Sequence, residues 1–313
     1  MKKHDRIFVA GFDTMVSSAV VNALHGEGFV NVIEAVHQQV DWCQQKEVES
    51  FFETEKPDYV FLTATMAGGV AENQLHLADF FYQNMVVEMN VIHSAWENGC
   101  KQLLFIGSSS IYPKMVLQQE QGIEEENLEK TKEANALAKF SGLKYCEFLN
   151  KQYGTNYITV IPTNVYGPND NFSEENGRVI PAFIKKFHEA KIAGKQDVVC
   201  WGTGKALRDF LYVGDLAEAC IFLMQHCTNG GTYNVGTSEE TSIENLACAI
   251  ARVVGYEGMI SWDKTKPDGL PRVALDVSKL NNLGWKSSVG LVEGIQKTYD
   301  DFLKNKEIWE ESR

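Results

Sequence analysis

Arg6-Ile7-Phe8-Val9-Ala10-Gly11-Phe12-Asp13-Thr14-Met15-Val16-Ser17-Ser18 leads from an apolar run through a turn with a single glycine into a helix-like stretch. The run is continuously hydrophobic rather than alternating, as in a strand covered on both faces. Further runs rich in Val, Ile and Phe follow at residues 31–36, 58–64, 102–107 and 157–163, separated by longer helix-like stretches. Strand and helix in alternation predict an α/β fold: a doubly wound parallel sheet with ligands at the strand C-termini. Past residue 165 the elements shorten, with helices expected near 180–193, 216–225 and 243–254 and a strand near 198–201. This divides the chain into a sheet domain, 1–165, and a smaller substrate lobe, 166–313. The turn signals Gly202-Thr203-Gly204, Gly230-Gly231 and Pro267-Asp268-Gly269 punctuate the lobe, but no Ser/Gly linker detaches it, so the two parts should interleave.

Composition narrows the function. In 313 residues, Lys+Arg 29 against Asp+Glu 42 leaves a net charge of −13. A general nucleic-acid or anionic-membrane surface would form against that field, so any bound phosphate must be held locally. No apolar run approaches the ~18 residues that would span a bilayer, and the charged start passes directly into a strand, which reads as cytoplasmic. The seven cysteines are scattered without a Cys-x-x-Cys pair. They read as reduced and mostly buried, with no metal site.

The opening turn lies where a dinucleotide-binding protein carries a glycine fingerprint, whose glycines allow a tight turn, backbone approach to the pyrophosphate and close helix packing. Only Gly11 remains; Thr14 and Ser17 occupy the second and third positions. Thr14 is β-branched at a crowded point, which weakens the site, and a plain strand-to-helix turn is the competing reading. Glu34 ends the second run at the offset of a carboxylate that holds an adenosine ribose. Together with the uncharged Ala35 and His37 it favours NAD over NADP.

Two further segments are more specific. Gly107-Ser108-Ser109-Ser110-Ile111-Tyr112-Pro113-Lys114 follows the fourth strand, and Val160-Ile161-Pro162-Thr163-Asn164-Val165-Tyr166-Gly167-Pro168-Asn169-Asp170-Asn171-Phe172 follows the fifth. They resemble extended short-chain dehydrogenases acting on nucleotide sugars. With Trp201-Gly202-Thr203-Gly204, Arg208-Asp209-Phe210-Leu211, Tyr233-Asn234-Val235-Gly236 and Lys266-Pro267-Asp268-Gly269-Leu270-Pro271-Arg272, the chain resembles the GDP-L-fucose synthase family nearly end to end.

That resemblance implies a Rossmann-like homodimer. It also implies an enzyme that epimerises C3 and C5 of GDP-4-keto-6-deoxy-D-mannose and then reduces C4 with NADPH. Reduction needs a proton donor beside the ketone, for which the family uses a tyrosine, a lysine four residues on and an assisting serine; epimerisation uses a cysteine and a histidine. Ser108 and Lys139 match the serine and lysine. Asn135 stands at the tyrosine position, Ser110 at the cysteine and Arg178 at the histidine. A carboxamide, an unassisted hydroxyl and a guanidinium do not exchange protons near neutral pH. The resemblance places cofactor contacts at Gly11, Thr14, Met15, Val16, Glu34, Ala64 and Lys139, and substrate contacts at Tyr112, Asn164, Val179, Trp201 and Arg208.

Each position has a plainer reading: Lys139 as a surface charge or ribose ligand, Trp201 as a core residue, Arg208 as the partner of Asp209 or Asp215. The leading expectation is a GDP-sugar-binding protein with the family reaction lost or severely impaired, NADP or NAD bound weakly, serving as a partner or regulatory subunit. An active epimerase or reductase on a related GDP-sugar, with Tyr112 as a relocated proton donor, is the alternative. A third reading is a structural dimer partner with an empty cleft.

Overall fold

The computed structural model describes residues 1–11, 14–34, 40–63, 75–112, 117–120, 133–172, 178–266 and 268–305. Ala35, His37 and Ala64 lie outside them. In chain order the strands are β1 (Ile7–Ala10), β2 (Val32–Glu34), β3 (Tyr59–Leu62), β4 (Gln102–Ile106), β5 (Leu117–Gln118), β6 (Tyr157–Pro162), β7 (Asn164–Tyr166), β8 (Asp197–Trp201), β9 (Leu207–Tyr212), β10 (Gly231–Val235), β11 (Glu240–Ser242), β12 (Met259–Asp263) and β13 (Arg272–Leu275).

Six of them form one parallel sheet in the order β10-β6-β4-β3-β1-β2. The continuous hydrophobicity of the runs has the expected cause. Ile7, Val9, Phe61, Leu104 and Ile158 point into a core shared with the helices Met15–Gly26 and Val213–His226. Their neighbours Phe8, Val60, Leu62, Leu103 and Phe105 point into a second core under the helices Gln45–Glu55, Leu77–Glu97 and Glu133–Tyr153. Successive side chains of a strand face opposite sides, so two helical layers require two apolar faces. Each such buried side chain contributes about 1.5–3 kcal/mol.

Strand order reverses around β1, with β2 on one side and β3 on the other, which opens a crevice beyond Gly11 and Thr63. Gly11 is dictated by contact: a Cβ there would lie 2.0 Å from Thr63 Oγ1 and 2.6 Å from Ser17 Cβ. The sixth strand, β10, comes from beyond residue 166, as does the helix Val213–His226, so the chain passes back into the large sheet after starting the smaller lobe.

That lobe is built on a five-stranded sheet ordered β11-β9-β13-β5, with β7 also on β9, and on the parallel pair β12-β8. Its own core gathers Tyr166, Ile184, Phe187, Phe210, Ile250 and Phe302. All seven cysteines are free, five of them buried. Among the described residues no helix is long and apolar enough to cross a membrane, and no cluster of His, Cys, Asp and Glu is arranged to hold a metal.

Candidate functional site

At the dinucleotide side of the sheet, Thr14 is the N-cap of the helix Met15–Gly26 rather than a distorted glycine substitute. Its backbone is extended (φ −89°, ψ 159°), a conformation open to any residue. Its Oγ1 accepts from the Ser17 amide at 3.2 Å, and Ser17 Oγ accepts from the Thr14 amide at 2.9 Å. This reciprocal capping box satisfies one of the free amides of the helix's first turn. The Thr14 hydroxyl thus turns back onto the helix. Met15 is buried and Val16 partly exposed in that first turn. Glu34 is exposed at the C-terminal end of β2, level with Val9 of β1.

At the end of β4, Ser108 caps a short 3-10 turn, Ser109–Ile111. Its hydroxyl lies 2.8 Å from that of Ser110, which is buried. Asn135, half-buried at the start of the helix Glu133–Tyr153, accepts at Oδ1 from the Asn84 amide at 3.2 Å. Four residues on, Lys139 is buried beneath the sheet, against Glu88. The reading of Lys139 as a surface charge gives way to this placement.

Tyr112 is buried as well. Its side chain is 1% exposed and donates to Asn234 Oδ1 at 2.6 Å. Burial, with the nearby Glu120 carboxylate, pushes its phenol far above the usual range. In this geometry the Tyr112 hydroxyl is turned to Asn234 and away from solvent.

Arg178 is the exposed N-cap of the helix Val179–Ile192 and donates to the Val165 carbonyl at 2.8 Å. Its charge faces Asp170, a buried carboxylate whose Oδ1 accepts from the Asn171 amide while Oδ2 has no hydrogen-bond partner. Burial raises the Asp170 pKa and Arg178 opposes the rise. A carboxyl raised in the folded state binds its proton more tightly there than in the unfolded chain. Its stabilising contribution is full below the unfolded value of ~3.9 and is lost as pH rises through the folded value. Asp170→Asn is expected to flatten this part of the pH dependence, so that Tm falls less than in the wild type between about pH 4 and pH 8. Equal slopes in a calorimetric pH series reject the assignment.

The sugar-nucleotide residues behave differently. Asn164, Val179, Trp201 and Arg208, drawn from four separate elements, line one cleft of about 490 Å³. Trp201 is 70% exposed, so it is not a core residue; Lys266 Nζ lies 5.4 Å from the centroid of its ring. Arg208 and Asp209 leave β9 on opposite faces, and the Asp209 carboxylate accepts from the Thr237 amide and hydroxyl. Asp215 accepts from Ser288 and Val289.

Two of the turn signals prove to be halves of one feature. Asp268 accepts from the Thr203 amide at 2.8 Å and from its hydroxyl at 2.7 Å. A Cβ on Gly202, whose φ is +79°, would come within 2.3 Å of the Asp268 carboxylate. A Cβ on Gly269 would stand 3.0 Å from Arg208 Nη2, so the guanidinium lies against a glycine. Sequence reasoning missed Phe183, Lys186 and Asp268 as cleft residues. The helical spacing of Val179, Ala182, Phe183 and Lys186 was the available signal. Lys186 and Arg208 put local positive charge in a chain of net charge −13.

Comparison with known proteins agrees with this geometry. The NAD dependent epimerase/dehydratase family matches residues 7–236. GDP-L-fucose synthase 1 of Arabidopsis thaliana is 48% identical, over 97% of this chain and 94% of that protein. This chain belongs to the GDP-L-fucose synthase family. The enzyme of Escherichia coli (strain K12) is 42% identical, over 96% of this chain and 98% of its own length. Among solved structures, a GDP-mannoheptose C4 reductase from Campylobacter jejuni with NADP bound is similar, with a TM-score of 0.86, 34% identity and coverage of 97% and 99%. The family thus implies a dinucleotide. In this chain the capping box holds the Ser17 amide, and Lys139 is buried against Glu88.

Proposed function

We propose that this member of the family is a cytoplasmic GDP-sugar-binding protein whose 3,5-epimerisation and 4-reduction are lost or severely impaired. The carrying observation is that Asn164, Val179, Trp201 and Arg208 converge on one cleft, while Asn135, Ser110 and Arg178 occupy the positions of the proton-transfer groups. An indole wall suits a base and a guanidinium suits a diphosphate. Ser108 remains able to hydrogen-bond a sugar oxygen without moving a proton to carbon. NADP or NAD is expected to bind weakly, because the β-branched Thr14 stands where a glycine would let the backbone approach a pyrophosphate. The burial of Tyr112 weighs against an active enzyme that uses it as a replacement acid.

The deciding experiment combines calorimetry with GDP and GDP-sugars and assays for cofactor oxidation and solvent deuterium uptake. Binding without either reaction is the expected result. No binding favours a structural subunit with an empty cleft, and turnover favours an enzyme.

The assembly proposed is a homodimer formed through the helices Leu77–Glu97 and Glu133–Tyr153. They pack on each other and leave Phe81, Tyr82, Phe148 and Tyr153 partly or largely exposed. Apolar side chains of this size on adjacent helices suit an isologous contact with a second copy. Light scattering at micromolar concentration is expected to give twice the chain mass, and Tyr82→Glu with Phe148→Glu to give the monomer. A monomeric wild type refutes the assignment.

A further inference from the structure

Glu88 sits on the helix Leu77–Glu97 in a buried stripe with Phe80, Asn84, Val91, Ile92 and Ala95. It is fully buried, and its Oε1 lies 2.8 Å from Lys139 Nζ, whose side chain is 3% exposed. The same ammonium donates to the Ile106 carbonyl at 3.0 Å and stands 4.8 Å from the centroid of the Phe105 ring. A carboxylate, a carbonyl and an aromatic face thus surround the ammonium, the Glu88 contact being an ion pair in which neither carboxylate oxygen has a hydrogen-bond partner.

The backbone is shaped around this arrangement. One turn beyond Lys139, a Cβ on Gly142 would lie 2.8 Å from Glu88 Oε2 and 2.7 Å from Phe105 Cζ. Only a glycine lets the two helices and β4 come close enough to bury the charges together. Burial pushes the Glu88 carboxyl up and Lys139 opposes that rise, so each charge depends on the other.

We propose that Lys139 serves this protein as the buried half of an ion pair with Glu88, which withholds it from a dinucleotide and makes Glu88 a fourth determinant of the impaired chemistry. The ion pair stands whether or not the neighbouring cleft binds a GDP-sugar. Only its consequence for the cofactor rests on the function proposed above, and calorimetry with GDP tests that function separately.

The test is a double-mutant cycle on the full-length protein, read by thermal unfolding and by lysine acylation. Removing one member of a buried pair leaves the other charge uncompensated, whereas removing both charges is tolerated. Lys139→Met is expected to lower Tm by on the order of 10 °C, and adding Glu88→Gln to restore more than half of the loss. In the native wild type, Lys139 is expected to acylate at least about tenfold more slowly than the exposed Lys46 and Lys56, unchanged by millimolar NADP(H). An unchanged Tm in Lys139→Met, or acylation of Lys139 at surface rates with protection by NADP(H), overturns the proposal. Should Lys139→Met yield no soluble protein, a soluble double variant supports the pair. A double variant equally insoluble counts against it.

Discussion

Purified protein supplied with GDP-4-keto-6-deoxy-D-mannose and NADPH is expected to oxidise no measurable cofactor and to leave the sugar's C3 and C5 hydrogens unexchanged in deuterium oxide. A positioned acid or base contributes about 10² to 10⁴ in rate, so loss of the tyrosine alone places reduction at least two orders below a competent relative. Loss of the cysteine and histidine together removes both proton-transfer groups for epimerisation. Recovery is expected in stages. Asn135→Tyr alone should restore little, because the lysine four residues on is held by Glu88 and the Ile106 carbonyl. Adding Glu88→Gln should raise the reduction rate further, provided cofactor binds. Deuterium exchange should require Ser110→Cys with Arg178→His, the latter also releasing the Val165 carbonyl from Arg178. Thr14→Gly is the companion change where cofactor binding limits the rate, since it removes the β-branched side chain. Robust turnover by the unmodified protein refutes this account. Loss of that turnover in Tyr112→Phe would then identify the buried phenol as the donor.

The sheet was legible because its signal is local and repeated. Continuous apolar runs with helical stretches between them reflect two covered faces, and the five runs read from the first half correspond to β1, β2, β3, β4 and β6. The sixth strand was not legible. Gly231–Val235 reads as one short run among many, and its place beside β6 is set by tertiary packing. At the site, Asn164, Val179, Trp201 and Arg208 were identified through family motifs, which encode spatial proximity that spacing cannot.

Side-chain direction was the least legible property. Lys139 matches its motif position, yet its orientation depends on an acid 51 residues upstream. The available clue was Glu88 itself, a carboxylate inside an otherwise mainly apolar helical stripe. Tyr112 presents the same difficulty, since its burial follows from the distant Asn234. Thr14 is a different case. Thr-x-x-Ser before an apolar helix is a capping pattern, a signal that neither the damaged glycine motif nor the plain strand-to-helix turn takes into account.

Arg208→Ala is expected to weaken GDP binding about 30-fold or more, while GMP binding changes much less. Truncating one partner of a buried, hydrogen-bonded charge pair costs about 2–5 kcal/mol, and each 1.4 kcal/mol is tenfold in affinity. The geometry assigns that cost to the diphosphate: Arg208 projects from β9 into the cleft beside Gly269, within a protein whose net charge would otherwise repel the ligand. Calorimetry on the wild type should therefore show a marked preference for GDP over GMP, and in Arg208→Ala the two should become nearly equal. Arg208→Lys should recover only part of the difference, since an ammonium supplies charge without a planar fork of donors. Trp201→Ala offers the contrasting result. Loss of an aromatic face costs about 1–3 kcal/mol per stacked base, and that loss should fall equally on GDP and GMP because it concerns the base. If Arg208→Ala retains the preference for GDP, the diphosphate is held elsewhere in the cleft, with Lys186 as the next cation to test.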